Sequence, residues 1–246
     1  MYKENPKSKD SGIYCCIPQK GNCPIGCSDC FFNRKESYLQ PFEQNLPNMP
    51  PLELVKNNVV RVNDGNDSNN QRDLVIESTK QYPMKFYNTS IPTELEKFDA
   101  PVVLTINPHK MTDKLFYKLD PIPQNLMFVR VRTNTWNIRN VVNPAVSYYT
   151  KKKIPVILTF MAYFTTQVKE GHEKNYTFRK RTLNSYNAIT TNAWDKIMRK
   201  FRLNPYIYSC GKIEGELGIT SCSRCGNCLR EYFCVMERLK NNGERR

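Results

Sequence analysis

The chain has 246 residues, a formal net charge of +14, a hydrophobic fraction of 39%, and 14 Tyr with 12 Phe. That length supports one ordinary core with or without a small appendage, and the aromatic content excludes a disordered chain, so disulfides are not needed for stability. No stretch approaches the roughly 18 consecutive apolar residues of a membrane span, and the start, Met1 to Asp10, is charged rather than a signal h-region, so a cytoplasmic protein with no membrane partner is expected.

Short β-branched or aromatic runs alternate with polar stretches of helical character, the pattern of about six βα units. Gly12 to Ile17 reads as the first strand and leads into a cysteine loop, with Pro51 to Asn57 a short helix beyond it. Val59 to Val62 is a second strand running into the turn Asn63 to Asp67; Arg72 to Gln81 reads as a helix and Lys85 to Asn88 as a third strand. Pro101 to Ile106 is a fourth strand, apolar enough to be buried on both faces. Thr112 to Leu119 is expected as a helix, Leu126 to Arg132 as a fifth strand, Pro144 to Lys152 as a helix and Pro155 to Phe160 as a sixth strand.

Asn187 to Arg202 reads as an amphipathic helix, because Ile189, Ala193, Ile197 and Phe201 recur at helical spacing. Parallel strands joined by helical crossovers predict an α/β fold. Its form is a partial (β/α)6 TIM-like barrel over residues 1–205, with residues 206–246 a short cysteine-rich metal-binding extension. In such a barrel the ligand site lies at the C-terminal ends of the strands, where the first cysteine loop falls.

The 10 cysteines cluster at the two ends, from Cys15 to Cys30 and from Cys210 to Cys234, and a reducing compartment leaves such thiols free to bind metal. Cys23, Cys27 and Cys30 have the spacing Cys-x3-Cys-x2-Cys, which lets one loop reach three corners of a cubane and leaves one iron without a protein ligand. A structural zinc loop is the plainer use of three thiols, although zinc sites more often pair Cys-x2-Cys units.

In this loop the sequence resembles the radical SAM superfamily. The resemblance implies a 4Fe-4S cluster on Cys23, Cys27 and Cys30, with S-adenosylmethionine (SAM) bound at the open iron. Phe31 and Phe32 follow as candidates to shield the cluster, and Asp29 stands where the superfamily often has an aromatic. That family also carries a Gly-Gly-Glu-like turn at the end of strand two against the methionine amino group; here the place is held by Gly65, Asn66 and Asp67, or by an ordinary Asp-Gly turn.

Later strand ends hold the rest of SAM in the resembling family, which points to Asn88 and Ser90 after strand three, Asn107 after strand four, and Arg130 and Arg132 on strand five. The two arginines share one strand face and either suits a carboxylate, unless that face is simply solvated.

At the other end, Cys222, Cys225 and Cys228 resemble a ferredoxin cluster loop, and with Cys210 they offer four thiolates to a second, auxiliary 4Fe-4S cluster or to zinc. Cys15 and Cys16 have no assignment, and as strand neighbours at most one of them points at any given site. The layout also resembles small radical-SAM-like proteins of bacteriophages and mobile elements.

Only two histidines occur, His109 and His172, and no Walker, dinucleotide or Ser-His-Asp pattern is present, which argues against hydrolase and nucleotide-triphosphatase readings. The function expected from the resemblance is reductive cleavage of SAM to modify a substrate, with the electron supplied by a donor such as flavodoxin or ferredoxin. A nucleic-acid substrate fits the charge and the basic stretch Lys169 to Arg202, where Tyr176, Phe178, Tyr186 and Trp194 either stack on bases or belong to the core. Two alternatives stand beside it: a non-enzymatic zinc- or iron–sulfur-binding nucleic-acid module, and a peptide-modifying radical SAM enzyme.

Overall fold

The computed structural model describes residues 1–27, 30, 32, 37–107, 118–180 and 185–243. Its strands are β1 (Ile13–Cys16), β2 (Val59–Val62), β3 (Lys85–Thr89), β4 (Val102–Ile106), β5 (Leu126–Thr133), β6 (Val156–Phe160), β7 (Tyr176–Arg179), β8 (Tyr186–Ile189) and β9 (Ile207–Cys210). Its helices are α1 (Phe42–Asn45), α2 (Leu52–Val55), α3 (Arg72–Thr79), α4 (Asn143–Lys151), α5 (Thr191–Met198), α6 (Cys222–Cys225) and α7 (Asn227–Gly243).

Seven strands form one sheet in the order β1-β2-β3-β4-β5-β6-β9, with β1-β2, β2-β3, β3-β4, β5-β6 and β6-β9 paired in parallel. β2 to β6 each lie beside their predecessor and β9 follows β6, the order of an α/β fold of the partial (β/α)-barrel type. β2 and β3 are buried at every position, so both of their faces are covered. β7 and β8 form a separate antiparallel pair.

Two compact units divide the chain. The first comprises Met1–Thr105, Leu119–Phe128 and Cys222–Arg246; the second comprises Ile106–Lys118 and Val129–Ser221. The core of the first includes Val59, Val60, Phe86, Tyr87, Val103 and Leu104, all under 2% exposed. That of the second includes Val131, Val142, Tyr149, Val156 and Leu158.

Six strands are expected from sequence and match β1 to β6 to within a residue or two, whereas β7, β8 and β9 carry no strong alternation and are visible only in the fold. The expected helix Asn187 to Arg202 is corrected at its start: Tyr186–Ile189 is strand, and the helix begins only after Thr190, whose hydroxyl caps it by accepting from the Ala193 N–H. Ile189 therefore contributes its apolar side chain to β8 and not to a helix stripe.

Ile207–Cys210 is a sheet strand paired with β6, and Cys222–Arg246 belongs to the first unit instead of standing as an appendage. α7 is held there by Tyr232, which is 3% exposed and faces Phe86 at 6.4 Å between ring centroids, and by Arg238, which donates to the carbonyls of Gln124 and Leu126. Of the expected helix Thr112 to Leu119, residues 112–117 lie outside the described residues.

Candidate metal centre

β1 ends where Ile17 bridges to Asn48, and Pro18 and Gln19 turn the chain into the cysteine loop. Gln19 anchors this turn by donating from Nε2 to the carbonyls of Asp67 and Asn70, so the loop after β1 is tied to the turn after β2. Within the loop Gly26 has φ +60, a left-handed conformation that glycine adopts without strain, and Cys30 N–H donates to the Cys27 carbonyl at 3.1 Å.

Cys23, Cys27 and Cys30 are all half-buried. Burial pushes the Cys23 thiol up to about 11; a hydrogen bond from the Ile25 N–H opposes this, and the neighbouring Asp67, Cys30 and Cys27 add to it. The turn after β2 is therefore an electrostatic neighbour of the loop. Asp29 and Phe31 lie outside the described residues.

Phe32 packs with Ile17, Leu39 and Phe42 in a small apolar cluster and lies edge-on to Tyr38 at 5.9 Å. The same ring covers Gly65 so closely that a Cβ there would stand 2.3 Å from Phe32 Cδ1. Gly65 is thus required by space, since only hydrogen fits against the ring.

Asp67 is 3% exposed, and its carboxylate is fully engaged by the chain itself. Oδ1 accepts from the Asn69 N–H and the Thr89 hydroxyl, and Oδ2 accepts from the Ser90 N–H and hydroxyl. The carboxylate accordingly ties the β2 turn to the end of β3, and Ser90 is held as its donor. Asn66, half-buried, accepts the Asp67 N–H on its own Oδ1. Asn88, buried, donates to the Val62 carbonyl.

Three acceptors just beyond β1 and β2 are buried with no hydrogen-bond partner among the described residues: Gln19 Oε1, Asn63 Oδ1 and Asp64 Oδ1. Buried acceptors are normally satisfied, so three in one short region mark a place suited to a donor from a ligand.

The remaining predicted residues lie in the second unit. Asn107 follows β4 and is buried; Arg130 and Arg132 alternate with the buried Val129, Val131 and Thr133, as two residues on one strand face must. Cys210 ends β9. Of the aromatics in the basic stretch, Tyr176, Tyr186 and Trp194 are buried and serve the core, while Phe178 is 56% exposed.

A second cluster of groups, in the first unit, is not evident from the spacing of the cysteines. Strand register sets Cys15 opposite Arg61. Arg61 NH2 stands 3.0 Å from Cys15 Sγ and NH1 3.7 Å from Cys222 Sγ, while Ser8 Oγ lies 3.3 Å from Cys15 Sγ on another side. Burial by itself disfavours the Arg61 charge, but Cys15, Cys222, Asp64 and Cys228 around it more than offset that and raise its pKa further. Burial likewise pushes the Cys15 thiol up to about 12 against the pull of Arg61.

Asp64 Oδ2 accepts from Asn5 Nδ2 at 2.6 Å and from the Tyr38 hydroxyl at 3.1 Å, closing the cluster beside the β2 turn. Among the described residues no three of His, Cys, Asp and Glu converge on one point as ligands of a single ion.

No family model, curated protein or solved structure matches this chain.

Proposed function

We propose that the chain is a radical SAM enzyme in which Cys23, Cys27 and Cys30 hold a 4Fe-4S cluster. The observation that carries this reading is the pairing of a three-thiol loop with the β2 turn and its unused buried acceptors, Gln19 Oε1, Asn63 Oδ1 and Asp64 Oδ1. Three half-buried thiols on one short loop after the first strand suit three corners of a cubane, with the loop's glycine allowing the chain to fold around it. When bound, the cluster and SAM supply a one-electron reductive cleavage of the sulfonium and a fragment able to abstract hydrogen from substrate.

The protein's own contribution is placement. Gly65 and Asn66 offer backbone and amide groups to the methionine amino group, and Asp67 acts through them by fixing the turn to β3. Phe32 excludes water from the side of the turn it covers. Asn88 and Ser90, at the end of β3 in the same unit, are the candidates for the rest of the cofactor. We infer a polyanionic substrate, a nucleic acid, from the net charge of +14, and an electron donor of the flavodoxin or ferredoxin kind in the cytoplasm.

Anaerobic reconstitution with iron and sulfide, followed by reductant and SAM, tests the reading directly. Formation of 5′-deoxyadenosine and methionine is expected, with loss of both in Cys27→Ala. A fully iron-loaded protein that yields neither product would sink it. The non-enzymatic alternative predicts zinc and no iron on metal analysis.

A further inference from the structure

We propose that Cys15, on β1, is the fourth thiolate ligand of an iron–sulfur cluster held by Cys222, Cys225 and Cys228, and that the buried Arg61 balances the charge of that cluster. This deepens the reading of the C-terminal cysteines as a second metal centre and is independent of SAM cleavage at Cys23, Cys27 and Cys30.

Arg61 bonds to sulfurs from both ends of the chain. Its guanidinium is permanently charged and lies in the first unit's interior, 9% exposed, where an uncompensated charge is costly. Among the described residues its hydrogen-bond partners are two sulfurs, Cys15 Sγ and Cys222 Sγ, and no carboxylate, and its Nε has none. Neutral thiols are weak acceptors and poor counterions, whereas metal-bound thiolates carry the negative charge that a buried guanidinium needs. Asp64, which is not among its hydrogen-bond partners, adds a carboxylate charge to the field around Arg61, and Cys228 adds a third sulfur.

The backbone brings these groups together by specific contacts. Cys222 N–H donates to the Lys7 carbonyl at 2.9 Å, which fixes the start of α6 on the N-terminal segment. Gly226, at φ +65, redirects the chain between α6 and α7. Leu229, the residue after Cys228, then lies where a Cβ on Gly12 would be 3.4 Å from its Cδ2, at the foot of β1. The turn bearing Cys222, Cys225 and Cys228 is thereby docked on the strand that carries Cys15, and all four belong to the first unit, whereas Cys210 belongs to the second. Alternation along β1 gives Cys15 and Cys16 opposite faces, so only one of the pair is available.

The spacing also selects the metal. A single tetrahedral zinc draws its sulfurs to about 2.3 Å from one point. Cys222, Cys225 and Cys228 have the Cys-x2-Cys-x2-Cys spacing of a ferredoxin cluster loop. A cluster that binds each thiolate on a separate iron suits that spacing.

The test uses the full chain with Cys23→Ala, Cys27→Ala and Cys30→Ala, so that any cluster measured is the second one and SAM cleavage plays no part. After anaerobic reconstitution, iron and sulfide near four each per chain are expected. Adding Cys15→Ser should cut iron to less than half or convert the electron paramagnetic resonance spectrum to that of a three-iron cluster, while adding Cys210→Ser should leave both unchanged. Arg61→Gln should lower iron retention against a chelator by about 10–100-fold and move the reduction potential down, with Arg61→Lys restoring much of both. Should Cys15→Ser fail to fold by circular dichroism, iron-edge X-ray absorption on the Cys210→Ser protein decides: an unchanged sulfur shell supports the assignment. Full cluster content in folded Cys15→Ser, loss of it in Cys210→Ser, or binding of zinc in place of iron each overturns it.

Discussion

At Gly65 a single hydrogen atom is all that the ring of Phe32 permits, and a methyl group in its place would collide with ring carbons at 2.3 and 2.4 Å. Gly65→Ala should therefore lower stability by about 1–3 kcal/mol through displacement of Phe32, read as a shift in the urea midpoint, and the proposed function requires that it also weaken SAM binding. A midpoint equal to that of the wild type would show that the turn can yield. Asp67→Asn keeps the shape of the side chain and removes the charge that four donors share, so a loss of about 1–3 kcal/mol is expected. Tyr82 and Tyr87 give the alkaline limb of stability. Burial holds both phenols well above the ordinary value of 10.0, and the folded chain keeps these protons after the unfolded chain has lost them. Their contribution is complete below pH 10.0 and declines as pH rises past it, so Tyr82→Phe should flatten the alkaline fall in unfolding free energy measured by denaturant titration.

Among the elements, α7 contributes more than its position at the end of the chain suggests. Tyr232 is buried on Phe86, Val235 is 2% exposed, and Arg238 donates to two carbonyls at the start of β5. Tyr232→Ala should cost about 3–5 kcal/mol, as large-to-small changes at buried aromatics do, and a thermal melt that moves by less than a degree would contradict the docking of α7. Elements with strong local patterning were legible before folding: β2 is read from sequence at its observed bounds, and β4 and β6 to within one residue, because runs such as Val102 to Ile106 are apolar on both faces. β7 to β9 were not legible. β7 and β8 are short strands that pair with each other and β9 pairs with the distant β6; each has only four residues, so local alternation is faint.

For the molecule as a whole, a charge of +14 predicts attraction to polyanions, and binding of single-stranded oligonucleotide should weaken steeply as salt rises from 50 to 200 mM. Affinity independent of salt would remove the electrostatic case for a nucleic-acid substrate, and with Tyr176, Tyr186 and Trp194 in the core, stacking falls to groups such as the exposed Phe178. The sequence by itself determined the α/β alternation, the three-thiol loop and the turn at Gly65 to Asp67, because period, spacing and glycine are local properties. Only the tertiary structure decided that Asp67 is spent on Ser90 and Thr89, that Gly65 is required by Phe32, and that Arg61 lies between Cys15 and Cys222, 161 positions from the latter. Strand register and helix docking set those contacts, and neither is written in the spacing of neighbours along the chain.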